Sequence, residues 1–213
     1  MKREIQAISL ITLFCFALYC NARVISTASD LAKLFENTTL VNEDIELAAD
    51  LDFQNITLDD SLGYENRTLF TGKLNGNGHT IKNLVIHSNN VASLFFECGN
   101  ITITDLIIDR SCRFTGVNAA GLCAGLRGHA TIRRVINRAN ATRNGGYVGG
   151  FVAIITDIEP SLIVFDSCIN EGTIRGNWFA GGFIGSMGGC SDTVIEFKNC
   201  TNNGIIAEYG ASN

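Results

Sequence analysis

Ala92-Ser93-Leu94, Ala120-Gly121-Leu122, Gly149-Gly150-Phe151 and Gly181-Gly182-Phe183 set two small residues ahead of a large apolar one four times over, at spacings of 28, 29 and 32 residues. A second column keeps the same phase. Leu106, Val135, Cys168 and Cys200 follow one another at 29, 33 and 32 residues, and Ile103, Ile132, Phe165 and Phe197 stand three residues before each of them. Two columns in phase over four repeats define an internal repeat.

The segments between the columns are short and rich in Val, Ile, Thr and Phe, as in Ile101-Thr102-Ile103-Thr104 and Val194-Ile195-Glu196-Phe197, and no helix-length amphipathic pattern follows residue 64. A helix-free unit of about 30 residues cannot cover its own apolar face and has to stack on its neighbour. The expected product is an all-β, right-handed parallel β-helix with one coil per repeat and a short N-terminal capping helix.

Stacking at about 4.8 Å requires each column to tolerate its own repetition. The small pairs then mark a sharp bend or a close approach of another strand, and Leu94, Leu122, Phe151 and Phe183 form an interior ladder. Apolar positions three apart do not share a face of a straight strand, so a corner falls between the Ile103-type and Leu106-type columns. Its polar residues, Thr104, Arg133, Asp166, Lys198 and Asp105, Arg134, Ser167, Asn199, point outward. Stacked Arg133, Asp166 and Lys198 alternate in sign, and Asp105 lies under Arg134. Asn137, Asn170 and Asn202 form a further column, expected as a turn ladder in left-handed geometry whose amides bond to one another.

Around this repeat the sequence reads as an exported protein. Met1-Lys2-Arg3 followed by the apolar run Ile8–Tyr19 has the form of a signal peptide, with cleavage after Ala22. No later stretch is long enough to span a bilayer. Residues 23–63 are expected as an N-terminal cap and first strands, and residues 64–213 as the repeats, with the last coil incomplete. In the cap, Thr27-Ala28-Ser29-Asp30 opens a helix from Ala28 to Glu36, and Asp44 to Phe53 is expected as a strand. The shortfall of the last coil implies either a longer native protein or a partner over the open C-terminal edge.

Composition excludes other classes. A net charge of −5 argues against nucleic acid, and 46% hydrophobic residues with 17% charged argue against disorder. Six sequons, at Asn37, Asn55, Asn66, Asn100, Asn140 and Asn199, suit an exported chain and are candidate N-glycosylation sites. Cys98, Cys112, Cys123, Cys168, Cys190 and Cys200 contain no C-x-x-C pair, and His79, His87 and His129 have no ligand spacing, so neither a metal nor a cofactor is expected. Cys168 and Cys200 stand one coil apart, within reach of a disulfide, although their column with Leu106 and Val135 also suits buried thiols.

The stretch Gly72-Lys73-Leu74-Asn75-Gly76-Asn77-Gly78-His79-Thr80-Ile81-Lys82-Asn83-Leu84-Val85-Ile86, with Ala92-Ser93-Leu94-Phe95 and the later Gly-Gly-Phe repeats, resembles GLUG-motif repeat proteins over residues 64 to 213. The resemblance implies a parallel β-helix on secreted or cell-surface proteins, often adhesin-like and without a known catalytic site. The expected function is a non-catalytic adhesion or recognition scaffold for glycans or cell-surface and matrix proteins. Two alternatives stand beside it. One is a carbohydrate-active β-helix enzyme, a polysaccharide lyase or glycoside hydrolase, drawing on Asp105, Asp109, Asp166 and Glu196 with Arg110, Arg133 and Arg134; the other is a structural surface coat. Trp178 with Tyr147 is a candidate sugar-stacking pair, more often seen as loop packing.

Overall fold

The computed structural model describes residues 22–143, 145–156, 159–189 and 192–209. The signal-peptide reading of 1–22 and Cys190 therefore fall outside the described residues, apart from Ala22. Within them the chain winds as an all-β parallel solenoid of about six coils with one short helix. Successive coils pair strand on strand in four parallel sheets of eleven, six, five and four strands. Hereafter these are the main, second, third and fourth sheets.

The sequence columns are structural columns. Ile45, Leu74, Ile103, Ile132, Phe165 and Phe197 are direct partners from coil to coil in the main sheet. Ile107, Ile136, Ile169 and Thr201 are likewise in register, which stacks Leu106, Val135, Cys168 and Cys200 one residue earlier. Leu94, Leu122 and Phe151 are wholly buried, and Phe151 stacks on Phe183 with ring centroids 4.9 Å apart and planes 13° apart. The Phe165–Phe197 pair repeats that geometry at 5.2 Å and 11°. Parallel rings one coil apart are what an aromatic column in a parallel stack produces.

One step of the alignment differs. Ala92 pairs with Ala119 rather than Ala120, and the phase is regained where Phe95 pairs with Cys123. The third coil therefore carries one extra residue ahead of Leu122, so the small positions do not all match one to one.

At the N-terminal end, helix α1 spans Ala28–Leu34, two residues shorter than expected, with Thr27 as its cap accepting a hydrogen bond from the Asp30 amide. Leu31 is fully buried, and the Phe35 ring lies 5.8 Å from Phe70 and 5.2 Å from Phe95. The helix thus closes the core at that end. The strand expected from Asp44 to Phe53 is broken into Ile45–Leu47 and Leu51–Asp52, which join the main and second sheets. Its alternating apolar residues continue inward around a corner rather than along one straight strand.

Candidate recognition surface

The polar corner follows from backbone geometry. The second residue of each outward pair, Asp105, Arg134, Ser167 and Asn199, is left-handed with φ between 52° and 56°, and Asn77 occupies the same corner at 51°. This is where the left-handed ladder lies. Asn137 and Asn170 were expected to hold that conformation but are not among the positive-φ residues, and both are fully buried. They continue the interior column of Leu51, Ile81 and Ile108. The bonding expected between their amides does form: Asn137 Nδ2 donates to Asn170 Oδ1 at 2.9 Å, and Asn170 Nδ2 to Asn202 Oδ1 at 2.7 Å.

The interior asparagines explain the small residues opposite. A Cβ on Gly121 would lie 2.4 Å from Asn137 Oδ1, and one on Gly182 would lie 2.6 Å from Asn202 Cγ. None of Gly121, Gly150 and Gly182 has positive φ, so close approach, and not a special bend, is what demands glycine there. In the two preceding coils the middle position carries serine instead: Ser61 and Ser93 are buried, with their Oγ atoms 3.0 Å apart. The sequence columns did not include Ser61, because it lies 32 residues before Ser93 in a segment without the small-small-large pattern.

The charged residues face outward and are used between coils. Arg134 makes a two-pronged contact with Asp105, Nε to Oδ1 and Nη2 to Oδ2, both at 2.6 Å. Arg127 meets Glu97 at 3.2 Å and Arg138 meets Glu171 at 2.7 Å. Arg133, Asp166 and Lys198 are in register as expected. Lys198, however, makes its contact with Glu196 in its own strand at 2.6 Å, because side chains two apart share the outer face. Asp166 accepts from the Ser167 hydroxyl at 2.9 Å.

Asp109 has a different local role. Its Oδ1 accepts from the Ser111 amide at 2.9 Å, as Asp52 does from Gln54 at the equivalent place in the first coil. These are Asx turns. In the fourth and fifth coils the buried Asn137 and Asn170 close the corresponding turn themselves, accepting from the Ala139 and Gly172 amides. His79 lies 3.5 Å from Asp50. Of the candidate enzyme residues, the structure joins Asp105 with Arg134 and leaves Asp109 and Glu196 in contacts of their own. Neither groove, about 400 Å³ along Asn100–Thr102, His129–Thr131 and Leu162, nor about 370 Å³ beside α1, is lined by Asp105, Asp109, Asp166 or Glu196.

The environment keeps the key carboxyls ionised. The hydrogen bonds from Arg134 hold Asp105 below the usual carboxylate range, and the Ser111 amide does the same for Asp109. A carboxyl with a lowered pKa contributes stability above its unfolded value of about 3.9 and loses it as the pH falls through the lower folded value. Denaturation followed from neutral pH into the acid range is therefore expected to show a stability loss at the acid end that is smaller in Asp105→Asn. An identical acid profile in the variant would show that the pair contributes nothing.

The thiols sit inside. Cys168 is a buried and Cys200 a half-buried free cysteine. Cys168 Sγ points at the Ile132 carbonyl at 3.2 Å and Cys200 Sγ at the Phe165 carbonyl at 3.3 Å. Each thiol reaches a backbone carbonyl of the preceding coil. Burial pushes Cys112 and Cys168 up to about 11 and Cys98 well upward, which leaves them protonated and poorly nucleophilic at neutral pH. Among the described residues no group of three His, Cys, Asp or Glu is placed to hold a metal.

The sequons separate by exposure. Asn37, Asn55, Asn100 and Asn199 are exposed, whereas Asn66 and Asn140 are half-buried. Two of the side chains are already engaged: Asn100 Oδ1 accepts from the His129 amide and Asn140 Oδ1 from the Thr173 amide, each at 3.0 Å. On the fourth sheet Tyr147 packs on Phe179, 5.3 Å between rings, and Trp178 is 75% exposed. Trp178 is thus not the packed loop residue that its sequence neighbourhood favoured.

No protein-family model matches the chain; the GLUG-like stretch keeps the solenoid architecture it implied, without a family assignment. The chain is 32% identical over 143 residues to Halomucin of Haloquadratum walsbyi (strain DSM 16790 / HBSQ001), a match covering 63% of this chain and 2% of that protein. This chain thus corresponds to a small fraction of the relative's length. In fold it is similar to the crystal structure of a Bacteroides ovatus protein provisionally designated an immunoglobulin A1 protease. The TM-score is 0.56 and the identity 16%, over 88% of this chain and 67% of that one. At that identity the likeness is one of fold. Among the described residues no helix is long and apolar enough to cross a membrane.

Proposed function

We propose that the protein is an exported, cell-surface-associated repeat protein whose lateral faces serve as a non-catalytic scaffold for adhesion or recognition. The observation that carries this reading is the use made of the acidic side chains. Asp105 is committed to Arg134 and Asp109 to its own turn, both with lowered pKa. A general acid needs the opposite shift. The Halomucin similarity and the signal-peptide pattern of residues 1–22 support an extracellular setting, and the sequons at Asn37, Asn55 and Asn199, which are exposed, are the sites offered for glycosylation. The exposed Trp178, beside the Tyr147–Phe179 pair, supports glycans as ligands, since aromatic faces stack on apolar faces of sugar rings.

The competing reading is a β-helical enzyme, the class to which the designation of the Bacteroides ovatus protein belongs. Polysaccharide-cleavage and proteolysis assays on the wild type and on Asp105→Ala, Asp109→Ala and Asp166→Ala separate the two. No turnover is expected in any of them. Turnover abolished by one of these substitutions would overturn the scaffold reading. In parallel, binding to an immobilised glycan array is expected and should weaken in Trp178→Ala; an array on which the wild type binds nothing would remove glycans as the ligand class.

A further inference from the structure

Arginine is used in two ways on the lateral faces. Arg127, Arg134 and Arg138 each meet a carboxylate of a neighbouring coil. Arg113 and Arg143, on the third sheet, have no ion pair among the described residues. The strands of that sheet, Val85–His87, Arg113–Thr115, Asn140–Arg143, Ile174–Gly176 and Ile206–Ala207, contain neither Asp nor Glu. They set His87, Arg113, Arg143 and Arg175 one to a coil through the second to fifth coils. The segments that lead from these four coils to the fourth sheet, 88–90, 116–117, 144–146 and 177–178, carry no acid either. Asp60 reaches this region from outside it, on Ser88 of the second coil. In a chain of net charge −5, the third sheet is a positive face, and a face of one sign selects ligands of the other.

The corner between the third and fourth sheets adds aromatic rings to this charge. Thr115 pairs with Thr142 and Asn118 with Tyr147, so the fourth coil takes five steps (142 to 147) where the third takes three (115 to 118). The extra length is a loop through Gly145 and Gly146, both at positive φ. A Cβ on Gly146 would lie 2.0 Å from the Val117 carbonyl oxygen, so the loop is seated on the third coil. Trp178 leans onto it from the fifth coil: a Cβ on Gly145 would lie 3.9 Å from Trp178 Cε2. Tyr147 and Trp178 therefore flank the loop that Arg143 opens. Two polar atoms at the same corner, Arg143 Nε and Asn118 Oδ1, are out of solvent and have no hydrogen-bond partner, a state that calls for an explanation in a folded protein.

We infer that the third sheet and this corner form a track for an acidic glycan lying along the solenoid, with its carboxylate or sulfate groups on Arg113 and Arg143, a hydroxyl toward Asn118 and ring faces on Tyr147 and Trp178. The inference rests on the scaffold reading above and narrows its ligand class. A guanidinium without an acceptor and a carboxamide oxygen without a donor are the complement of a sugar that carries both anionic oxygens and hydroxyls. The planar fork of arginine suits such oxygens better than a point charge does, and the neighbouring aromatic faces favour a glycan over a polyanion without rings.

Isothermal titration calorimetry of the purified protein against polygalacturonate, dextran sulfate, neutral dextran and polyglutamate tests the track. Binding is expected to polygalacturonate or dextran sulfate, the two arms that separate carboxylate from sulfate, and not to dextran. Polyglutamate, which carries charge without sugar rings, should bind about tenfold more weakly or worse. Arg113→Gln and Arg143→Gln should each weaken binding about fivefold, and the double variant more than about tenfold. Arg127→Gln makes the same charge change on the main sheet, where Arg127 faces Glu97, and should stay within about twofold of wild type. Far-UV circular dichroism checks that the variants remain folded, and the two single variants test the track separately. Polyglutamate bound as tightly as the acidic glycans, an equal loss in Arg127→Gln, or an unchanged double variant would each overturn the inference. Glycan-array binding confined to neutral sugars would overturn it while leaving the scaffold reading in place, whereas binding to no glycan at all would remove both the track and glycans as the ligand class.

Discussion

Gly150→Ala is expected to destabilise the protein by about 3 kcal/mol or more, a large effect for the addition of one methyl group. The added Cβ would sit 2.0 Å from the Gly182 carbonyl oxygen and 2.8 Å from Asn170 Oδ1. Backbone, not a flexible side chain, stands in the way. Relief requires moving one coil away from the next, and Gly150 is bonded on both sides: its amide donates to the Gly181 carbonyl, and its carbonyl accepts from the Gly121 amide, both at 3.1 Å. Opening that seam weakens buried hydrogen bonds as well as packing. Gly188→Ala is the control. Its Cβ would find nothing nearer than 3.7 Å, the end of the Ile154 side chain, and it is expected to lie within about 0.5 kcal/mol of wild type. Denaturant melts of both variants, with coil-resolved hydrogen exchange to detect local opening, measure the difference. Equal stabilities would mean the seam is looser than the column geometry requires.

Why glycine recurs was only half readable beforehand. Spacing alone located the columns, because apolar residues that must stack leave a periodic trace, and Ile103, Ile132, Phe165 and Phe197 did so without exception. What spacing does not carry is which side of the coil a polar residue faces. Asn137 and Asn170 and the Asp105 and Arg134 pair are all polar and all near a corner, yet the first two are buried, Asp105 is half-buried and Arg134 is exposed. Asparagine is as plausible in a left-handed turn as in an amide ladder, so the residue type did not discriminate. The informative signal was a correlation between columns. Glycine occupies the middle of the small-small-large triplet in the coils whose opposite column holds asparagine, and Ser93 occupies it where that column still holds Ile108. The candidate recognition surface was less legible. Trp178 gave no periodic sign of being exposed, and the pairing of Lys198 with Glu196 instead of Asp166 depends on side-chain direction within a strand.

Asn170→Leu is expected to cost about 2–4 kcal/mol even though leucine is apolar, similar in size, and matches the Leu51, Ile81 and Ile108 lower in the same column. In the first and third coils the column holds an apolar residue and Asp52 and Asp109 close the adjoining turns with their own carboxylates. In the fifth coil that task belongs to Asn170. Its Oδ1 accepts from Asn137 Nδ2 at 2.9 Å and from the Gly172 amide at 3.3 Å, while its Nδ2 donates to Asn202. Leucine would strand two buried donors at once, and an unsatisfied buried donor costs about 1–3 kcal/mol. Asn202→Leu, on an exposed residue of the last coil, removes one rung where water can reach the gap and is expected to cost about 1 kcal/mol or less. The ordering is the test. If denaturation shows the two variants equally stable, the amide column is not a cooperative ladder, and burial of Asn137 and Asn170 would have to be offset elsewhere. If Asn170→Leu is far worse, the ladder is what allows a polar residue to occupy the core of the upper coils, and the glycines opposite it are the space it needs.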